Sequence, residues 1–407
     1  MKQKLVVIGN GMAGMRTVEE LIGHAPDLYD ITVFGAEPHG NYNRIMLTPV
    51  LYGAKSIDDI MIHDFDWYRK NNITLHCGPD KTVTDIDRER QLVRARDGTQ
   101  ARYDKLLIAT GSLPMMQAIP GKDVEGVMGF RDIADVEAMI AKAQTKQHAV
   151  VLGGGLLGLE AANGLTQRGM QVTVVNRAKH LLNRQLDRQA GTFLKQQLEQ
   201  TGLSFRLGVT VERILSEEGH ITEVVLNDGS ILAADILIMA TGITPNIALA
   251  KKIGLKCDRG IIVEDDMQTS DPAIYSVGEC IQHKDELFGL VAPVYQQANV
   301  CANRLANKDN AVYKTLSSAT MLKVSGIDLF SVGEFQGDVS TEEITLIDPA
   351  LHVYKKIVLR NNIIVGMLMY GDTTDSAWYL NLVKDKTDIS AIRDSIIFGP
   401  TDLSEAA

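Results

Sequence analysis

The 407-residue chain has ordinary globular composition, 45% hydrophobic and 23% charged, and is long enough for two or three domains with sizeable cores. Its net charge of -10 argues against a nucleic-acid partner, because phosphate binding relies on a basic face. Four cysteines in so long a chain suggest a reducing compartment rather than a disulfide framework.

The N-terminus, "MKQKLVVIGNGMAG", has basic residues before apolar ones, but its apolar run is only Leu5 to Ile8, too short for a signal peptide. No apolar stretch approaches the ~18 residues of a membrane span, so a soluble, cytoplasmic protein is expected.

Leu5 to Ile8 predict a buried parallel strand: short, apolar, β-branched and ended by glycine. Gly9, Gly11 and Gly14 follow, then the helical pattern "MAGMRTVEELIG", then a second strand, "DITVFGAEP", with Glu37 at its end. Strand, glycine turn, helix, strand and acid together form a dinucleotide-binding unit, a stronger signal than the glycines alone.

The unit recurs. "AVVLGGG" is a strand leading into Gly153, Gly154, Gly155, Leu156, Leu157 and Gly158; "LLGLEAANGLTQRG" is a helix and "QVTVVNR" a strand. Two further segments echo each other: "YDKLLIATGSLP" from Tyr103 and "ADILIMATGITPN" from Ala234. Each follows an Asp-Gly pair, Asp97-Gly98 or Asp228-Gly229, in the manner of a hairpin. The duplication is therefore of a whole domain plan. Beyond Gly260, "IYSV" is a strand ending at Gly278 and Glu279. After Ala311 the pattern changes to that of a mixed C-terminal domain, with a hairpin turning at Asn361-Asn362. The small polar tail from Ser404 is expected to fray.

The reading is an α/β chain: a discontinuous first domain of residues 1–112 and 241–312, a second of 113–240, and a mixed α+β C-terminal interface domain of 313–407. Two pyrophosphate cradles imply two dinucleotides, since a helix N-terminus offers free N–H groups and partial positive charge. The useful pair chemically is a nicotinamide and a flavin.

The chain resembles the two-dinucleotide-domain flavoprotein reductases, a family that includes rubredoxin reductases, ferredoxin reductases and apoptosis-inducing factor. "NYNRIMLTPVL", "GLLGLEAANGL", "RQLD", "IYSVGEC", "GLVAPVYQQA" and "VYKKIVLRNN…GDT" are closer still to the N-terminal flavin module of NAD(P)H nitrite reductase large subunits, and to the electron-transfer subunit of assimilatory nitrate reductases. The resemblance implies a glutathione-reductase-like architecture. It also implies FAD on Gly9, Gly11, Met12, Ala13 and Gly14. Glu37 would take the adenosine ribose, Arg44 and Thr48 the phosphates or flavin, and the Val83 backbone the adenine. Ala109, Thr110 and Gly111 would line the cofactor, with Gly278 and Glu279 at the ribityl chain; most relatives carry aspartate in place of that glutamate. NAD(P)H would lie on Gly153, Gly155, Leu156, Leu157, Gly158, Asn176, Arg177 and Gly242. Glu160 resembles an acid that sits near the nicotinamide. Its lysine partner in relatives is replaced here by Pro49.

Two questions stay open at this level. At the coenzyme ribose, "VTVVNRAKH" sets Asn176, Arg177, Lys179 and His180 where an NADH site carries a carboxylate; nothing repels a 2′-phosphate, while Asn176 alone could bond the ribose of NADH. As to the acceptor, Cys77, Cys257, Cys280 and Cys301 lie more than twenty positions apart at every step, which disfavours both a dithiol relay and an iron–sulfur cluster. No metal is expected. The expectation is an NAD(P)H-dependent flavoenzyme feeding a separate nitrate or nitrite reductase component. Rubredoxin or ferredoxin is the alternative acceptor, and a flavin- and nicotinamide-binding sensor with slow turnover is the alternative of another class. The sequence does not disclose oligomeric state or any catalytic acid or base.

Overall fold

A computed structural model describes residues 2–308, 312–314 and 319–400. The tail from Ser404 lies outside the described residues. The chain divides into two compact units, one of residues 1–115, 131–133 and 243–315, the other of 116–130, 134–242 and 316–407.

The first unit is built on a parallel five-stranded sheet in the order Ile274–Ser276, Lys105–Ile108, Gln3–Ile8, Tyr29–Gly35, Thr74–Cys77. Leu5, Val6 and Val7 are buried at the centre of its core with Leu106, Leu107 and Ile274. This is why the central strands read as continuous apolar runs rather than alternating ones: both faces are covered. The Met12–His24 helix buries Met15, Val18 and Leu21 along one stripe. A three-stranded antiparallel meander, Val83–Asp87, Leu92–Ala95 and Gln100–Arg102, precedes the Lys105–Ile108 strand. The expected Asp97-Gly98 hairpin is its second turn, with Gly98 at φ +88°.

The second unit repeats this plan. Its parallel sheet runs Val127–Met128, Ile236–Met239, His148–Leu152, Gln171–Asn176, Ser204–Leu207: four strands stand in the same order as in the first unit, while the edge strand Val127–Met128 precedes the others in the chain where Ile274–Ser276 follows them. It too has an antiparallel meander, Val211–Glu217, His220–Leu226 and Ile231–Ala233, turning at Asp228-Gly229. The doubled domain plan read from the motifs thus extends to the order of four of the five strands.

The same unit contains an antiparallel five-stranded sheet in the order Thr320–Val324, Ile327–Gly333, Ile363–Tyr370, Val353–Arg360, Glu342–Asp348. The Ser376–Asp385 helix packs on it through Tyr379, in a core with Phe330, Ile357 and Met367. Asn361 and Asn362 both take positive φ, +52° and +57°, the twist-matching turn that an Asn-Asn hairpin permits. The Arg188–Gln200 helix joins this sheet to the nucleotide-type fold: Phe193 packs against the Tyr354 and Tyr370 rings, and Tyr370 bonds Gln197. Among the described residues no helix is long and apolar enough to cross a membrane.

Candidate cofactor sites

In the first unit, Gly9 ends the central strand at φ +117°, and a Cβ there would stand 2.1 Å from the Ala109 carbonyl oxygen. A Cβ on Gly14 would lie 2.5 Å from the Gly9 oxygen. These two glycines let strand, helix and the Ala109-Thr110-Gly111 turn close on one another. Gly11 is different: it is the N-cap residue at φ -84° and ψ -178°, and a Cβ on it would meet nothing within 4 Å. No side chain caps the Met12–His24 helix, and its first turn contains no acid. The space beside Gly11 is thus a cradle of free N–H groups at a positive helix end, with a bare Cα at its floor.

The second unit carries the same construction. Gly153 sits at φ +127°, its added Cβ 2.3 Å from the Ala240 oxygen, and Gly158 would clash with the Gly153 oxygen at 2.1 Å. Gly155 caps the Leu156–Gln167 helix at φ -84° and ψ 177°, open to 4 Å and without a side-chain cap. The echoed Ala-Thr-Gly turns are now explained: Ala109 and Ala240 each bond back to the central strand, to Ile8 and Leu152, and present the oxygen on which the first glycine packs. Both cradles fit a dinucleotide pyrophosphate.

Around the first cradle, Glu37 is ion-paired with Arg44 and accepts a hydrogen bond from the Tyr42 hydroxyl at 2.6 Å. Arg44 also donates to the Arg131 carbonyl at 3.0 Å, and its guanidinium lies over the Tyr42 ring. Burial works against the Arg44 charge, but Tyr42 and Glu37 offset it and hold its pKa raised. Thr48 is buried in the short Leu47–Leu51 helix, and Val83 starts the meander opposite Ala95. Thr110 donates to the Asn246 carbonyl at 2.7 Å. Gly278, at φ +93°, would bring a Cβ within 2.8 Å of Ala13, and its N–H donates to the buried Gln297 amide oxygen at 2.9 Å. Glu279 accepts from Ser112 Oγ at 2.8 Å and pairs with Arg131.

The structure therefore draws Glu37, Arg44, Ala109, Gly111, Gly278 and Glu279 into the unit that holds the Gly9–Gly14 turn. It adds Tyr42, Ser112, Arg131 and Gln297, which sequence reasoning passed over. Arg131 belongs to a three-residue excursion of the chain into this unit, and only the "FRD" after a glycine could have flagged it.

Around the second cradle, Asn176 is fully engaged. Its Oδ1 accepts from Gly154 N–H at 3.1 Å, and its Nδ2 donates to the Ala178 and His180 carbonyls at 3.2 Å each. Its amide ties the strand-end loop to the glycine turn. Arg177 and Lys179 are exposed beside it, Leu157 lies open at the helix start and Gly242 takes φ +134°. Glu160, one turn into the helix, accepts from Ser325 N–H at 2.9 Å, and burial raises its pKa. All four cysteines are free, and burial pushes each thiol up, away from the thiolate form. Among the described residues no cluster of His, Cys, Asp and Glu is arranged to hold a metal ion.

Residues 3–304 match the family model described as pyridine nucleotide-disulphide oxidoreductase. The chain belongs to that family. Residues 319–387 match the rubredoxin NAD+ reductase C-terminal domain, the antiparallel sheet of the second unit. The chain is 43% identical over 399 residues to a Bacillus subtilis nitrite reductase [NAD(P)H], covering 98% of this chain and 49% of that protein. It is also 43% identical over 396 residues to the B. subtilis assimilatory nitrate reductase electron transfer subunit, covering 97% and 51%. The chain thus spans about half the length of these relatives. Among solved structures, the NADH:rubredoxin oxidoreductase of Clostridium acetobutylicum superposes with a TM-score of 0.82 at 26% identity, covering 98% of this chain and 99% of that one. The resemblance read from the motifs is to the right family, and its two-Rossmann fold with a mixed C-terminal domain is the fold observed.

Proposed function

We propose that this family member binds FAD in the first unit and NAD(P)H in the second, and passes electrons from one to the other and on to a separate protein acceptor in the cytoplasm. The acceptor we favour is a component of assimilatory nitrate or nitrite reduction. The observation that carries the reading is the doubled cradle: Gly11 and Gly155, in matching backbone geometry, each leave an uncapped helix N-terminus facing open space. The 43% identity to the nitrite reductase and to the electron transfer subunit supports the choice of acceptor.

FAD accepts hydride from a nicotinamide and can release electrons singly, which suits it to join a two-electron donor to a one-electron carrier. The residues around it have narrower tasks. The main-chain N–H groups beside Gly11 would receive the diphosphate, with Arg44 as its planar donor and Glu37 toward the adenosine ribose. Tyr42, bonded to the second oxygen of Glu37, would hold the acid in place. Arg131 and Ser112 anchor Glu279, which would orient the ribityl hydroxyls. In the second unit Gly155 opens the N–H cradle to NAD(P)H. Arg177 and Lys179, rather than the engaged Asn176, meet the ribose 2′ position, which favours NADPH or use of both coenzymes. Hydride transfer between stacked rings draws on proximity and orientation, so no acid–base group is required of the chain.

The test is reconstitution with FAD, rapid-mixing reduction by NADH and by NADPH, and reoxidation by purified candidate acceptors. Bleaching within milliseconds and fast turnover with a nitrate or nitrite reductase component would establish the reading. The match of residues 319–387 to the rubredoxin reductase C-terminal domain favours one second reading, rubredoxin or ferredoxin reduction. Fast turnover with those carriers alone would reverse the ranking, and bleaching over minutes would make the chain a sensor.

A further inference from the structure

Glu160 is the only charged residue in the Leu156–Gln167 helix, and its neighbours Leu159, Ala161 and Ala162 are buried. Two influences act on its titration among the described residues: burial, which raises the pKa, and the Ser325 N–H, which lowers it. No cation contributes. A half-buried carboxylate without an ionic partner leans on the hydrogen bond it has, and here that bond is Ser325 N–H to Oε1 at 2.9 Å.

Ser325 is no ordinary donor. It is the first residue of a two-residue hairpin loop between Thr320–Val324 and Ile327–Gly333, with Val324 opposite Ile327. It takes φ +49° and Gly326 takes φ +90°, the double left-handed turn for which asparagine or aspartate is the usual first residue. A serine in that conformation carries a steric cost. Its hydroxyl oxygen is also buried and finds no hydrogen-bond partner, a second cost. The tip is thus poorly optimised as a hairpin, while its Ser325 N–H bonds the Glu160 carboxylate.

We infer that Ser325 is a positioning residue: its backbone N–H, delivered by the C-terminal hairpin, holds the Glu160 carboxylate in the orientation the nicotinamide end of the coenzyme requires. This rests on the proposed NAD(P)H site of the second unit, and on placing Glu160, one turn into the helix that Gly155 opens, beside the nicotinamide of that coenzyme. Both residues belong to the second unit, so the contact makes the rubredoxin-reductase-type sheet part of the coenzyme site rather than an appendage.

The test is a double-mutant cycle on the flavin-loaded protein, read as dissociation constants of NAD+ and of ADP-ribose, which lacks the nicotinamide. Glu160→Ala and Ser325→Pro, which deletes the N–H and, by fixing φ near about −65° where Ser325 holds +49°, also withdraws the hairpin tip that delivers it, should each weaken NAD+ about tenfold and leave ADP-ribose unchanged. The double variant should be no weaker than Glu160→Ala, because the two changes remove one interaction. Ser325→Gly, which keeps the N–H and tolerates positive φ, should bind like wild type. If Glu160→Ala leaves NAD+ binding intact, the placement of Glu160 falls and this inference with it. If Glu160→Ala weakens NAD+ but Ser325→Pro does not, the placement stands and the inference alone is overturned. A Ser325→Pro effect on ADP-ribose, or one adding to Glu160→Ala, also overturns it. Should Ser325→Pro not fold, the Ser325 amide resonance of serine-15N-labelled protein decides. It should shift on adding NAD+ but not ADP-ribose, and the shift should vanish in Glu160→Ala; an unmoved resonance overturns the inference.

Discussion

Gly9 lies so close to Ala109 that a Cβ on it would stand 2.1 Å from the Ala109 carbonyl oxygen, whereas one on Gly11, two residues on, would touch nothing within 4 Å. The two glycines are therefore needed for different reasons. Gly9→Ala forces both a positive φ and a backbone clash, and should cost about 3 kcal/mol or more of stability. Gly11→Ala should leave the apoprotein melting temperature within about a degree or two of wild type, since its φ is ordinary and its surroundings open. It should nonetheless lower bound flavin at least about tenfold, because the methyl fills the cradle. Melting curves of apoprotein and the flavin-to-protein absorbance ratio check both. Gly155→Ala is the mirror experiment: full flavin content and an NAD(P)H affinity lowered by a similar factor.

Arg177 and Asn176 should separate cleanly in coenzyme kinetics. Arg177→Ala should reduce kcat/KM for NADPH about ten- to a hundredfold while leaving NADH within twofold, as loss of one charge-assisted hydrogen bond predicts. Asn176→Ala removes the ties to Gly154, Ala178 and His180. It should lower both coenzymes equally and destabilise the protein by about 2 kcal/mol. A wild-type preference for NADH by a wide margin would remove Arg177 from recognition of the ribose.

Asp187 concentrates several contacts of the second unit. Its Oδ1 caps the Arg188–Gln200 helix at Ala190 N–H, 3.0 Å away, and its Oδ2 accepts from Tyr354 at 2.7 Å with the 7%-exposed Lys356 ammonium 3.8 Å away. Asp187→Ala should therefore cost about 3 kcal/mol, more than the ~1 kcal/mol of an ordinary N-cap, because the Tyr354 hydroxyl and Lys356 lose a buried partner as well. Tyr354→Phe should cost about 1–2 kcal/mol. Urea denaturation of the three proteins measures both.

Lys355, on the same strand, is 8% exposed in its side chain and pairs with Asp372 at 2.7 Å. Bonds from Lys355 and Thr374 hold the Asp372 carboxyl down at about 2, from an ordinary 3.8. A depressed folded-state pKa contributes stability that is fully present above about pH 4 and is lost as pH falls toward 2. Asp372 is partly exposed, so after solvent screening the contribution is roughly 1 kcal/mol. Asp372→Asn should be less stable than wild type at pH 7, and the gap should narrow between pH 4 and pH 2. A gap independent of pH over that window would assign the loss to packing instead.

Much of the fold was legible because its signals are local. Gly9 and Gly153 advertise a positive φ, Asp97-Gly98 and Asn361-Asn362 a tight turn, and Leu5–Ile8 a strand covered on both faces; each is a demand that a few adjacent residues satisfy alone. The Ala-Thr-Gly echoes were visible, but their purpose was not. It became clear only once Ala109 and Ala240 were seen to offer the oxygens on which the first glycines rest. Arg131 was missed because its partner Glu279 lies 148 residues away, and an arginine in a short connecting segment carries no periodicity to mark it.

The amino-acid order by itself determined the doubled strand–glycine–helix plan and the glycines that leave two helix N-termini open, since the backbone conformation of such joints is set by near neighbours. Tertiary structure alone decided which side chains serve those joints. It locked the Asn176 amide into its own loop, brought Tyr42 to Glu37 and Arg131 to Glu279, and laid the Ser325 hairpin tip against Glu160. Such pairings depend on strand order and register, which bring together residues that no local pattern relates.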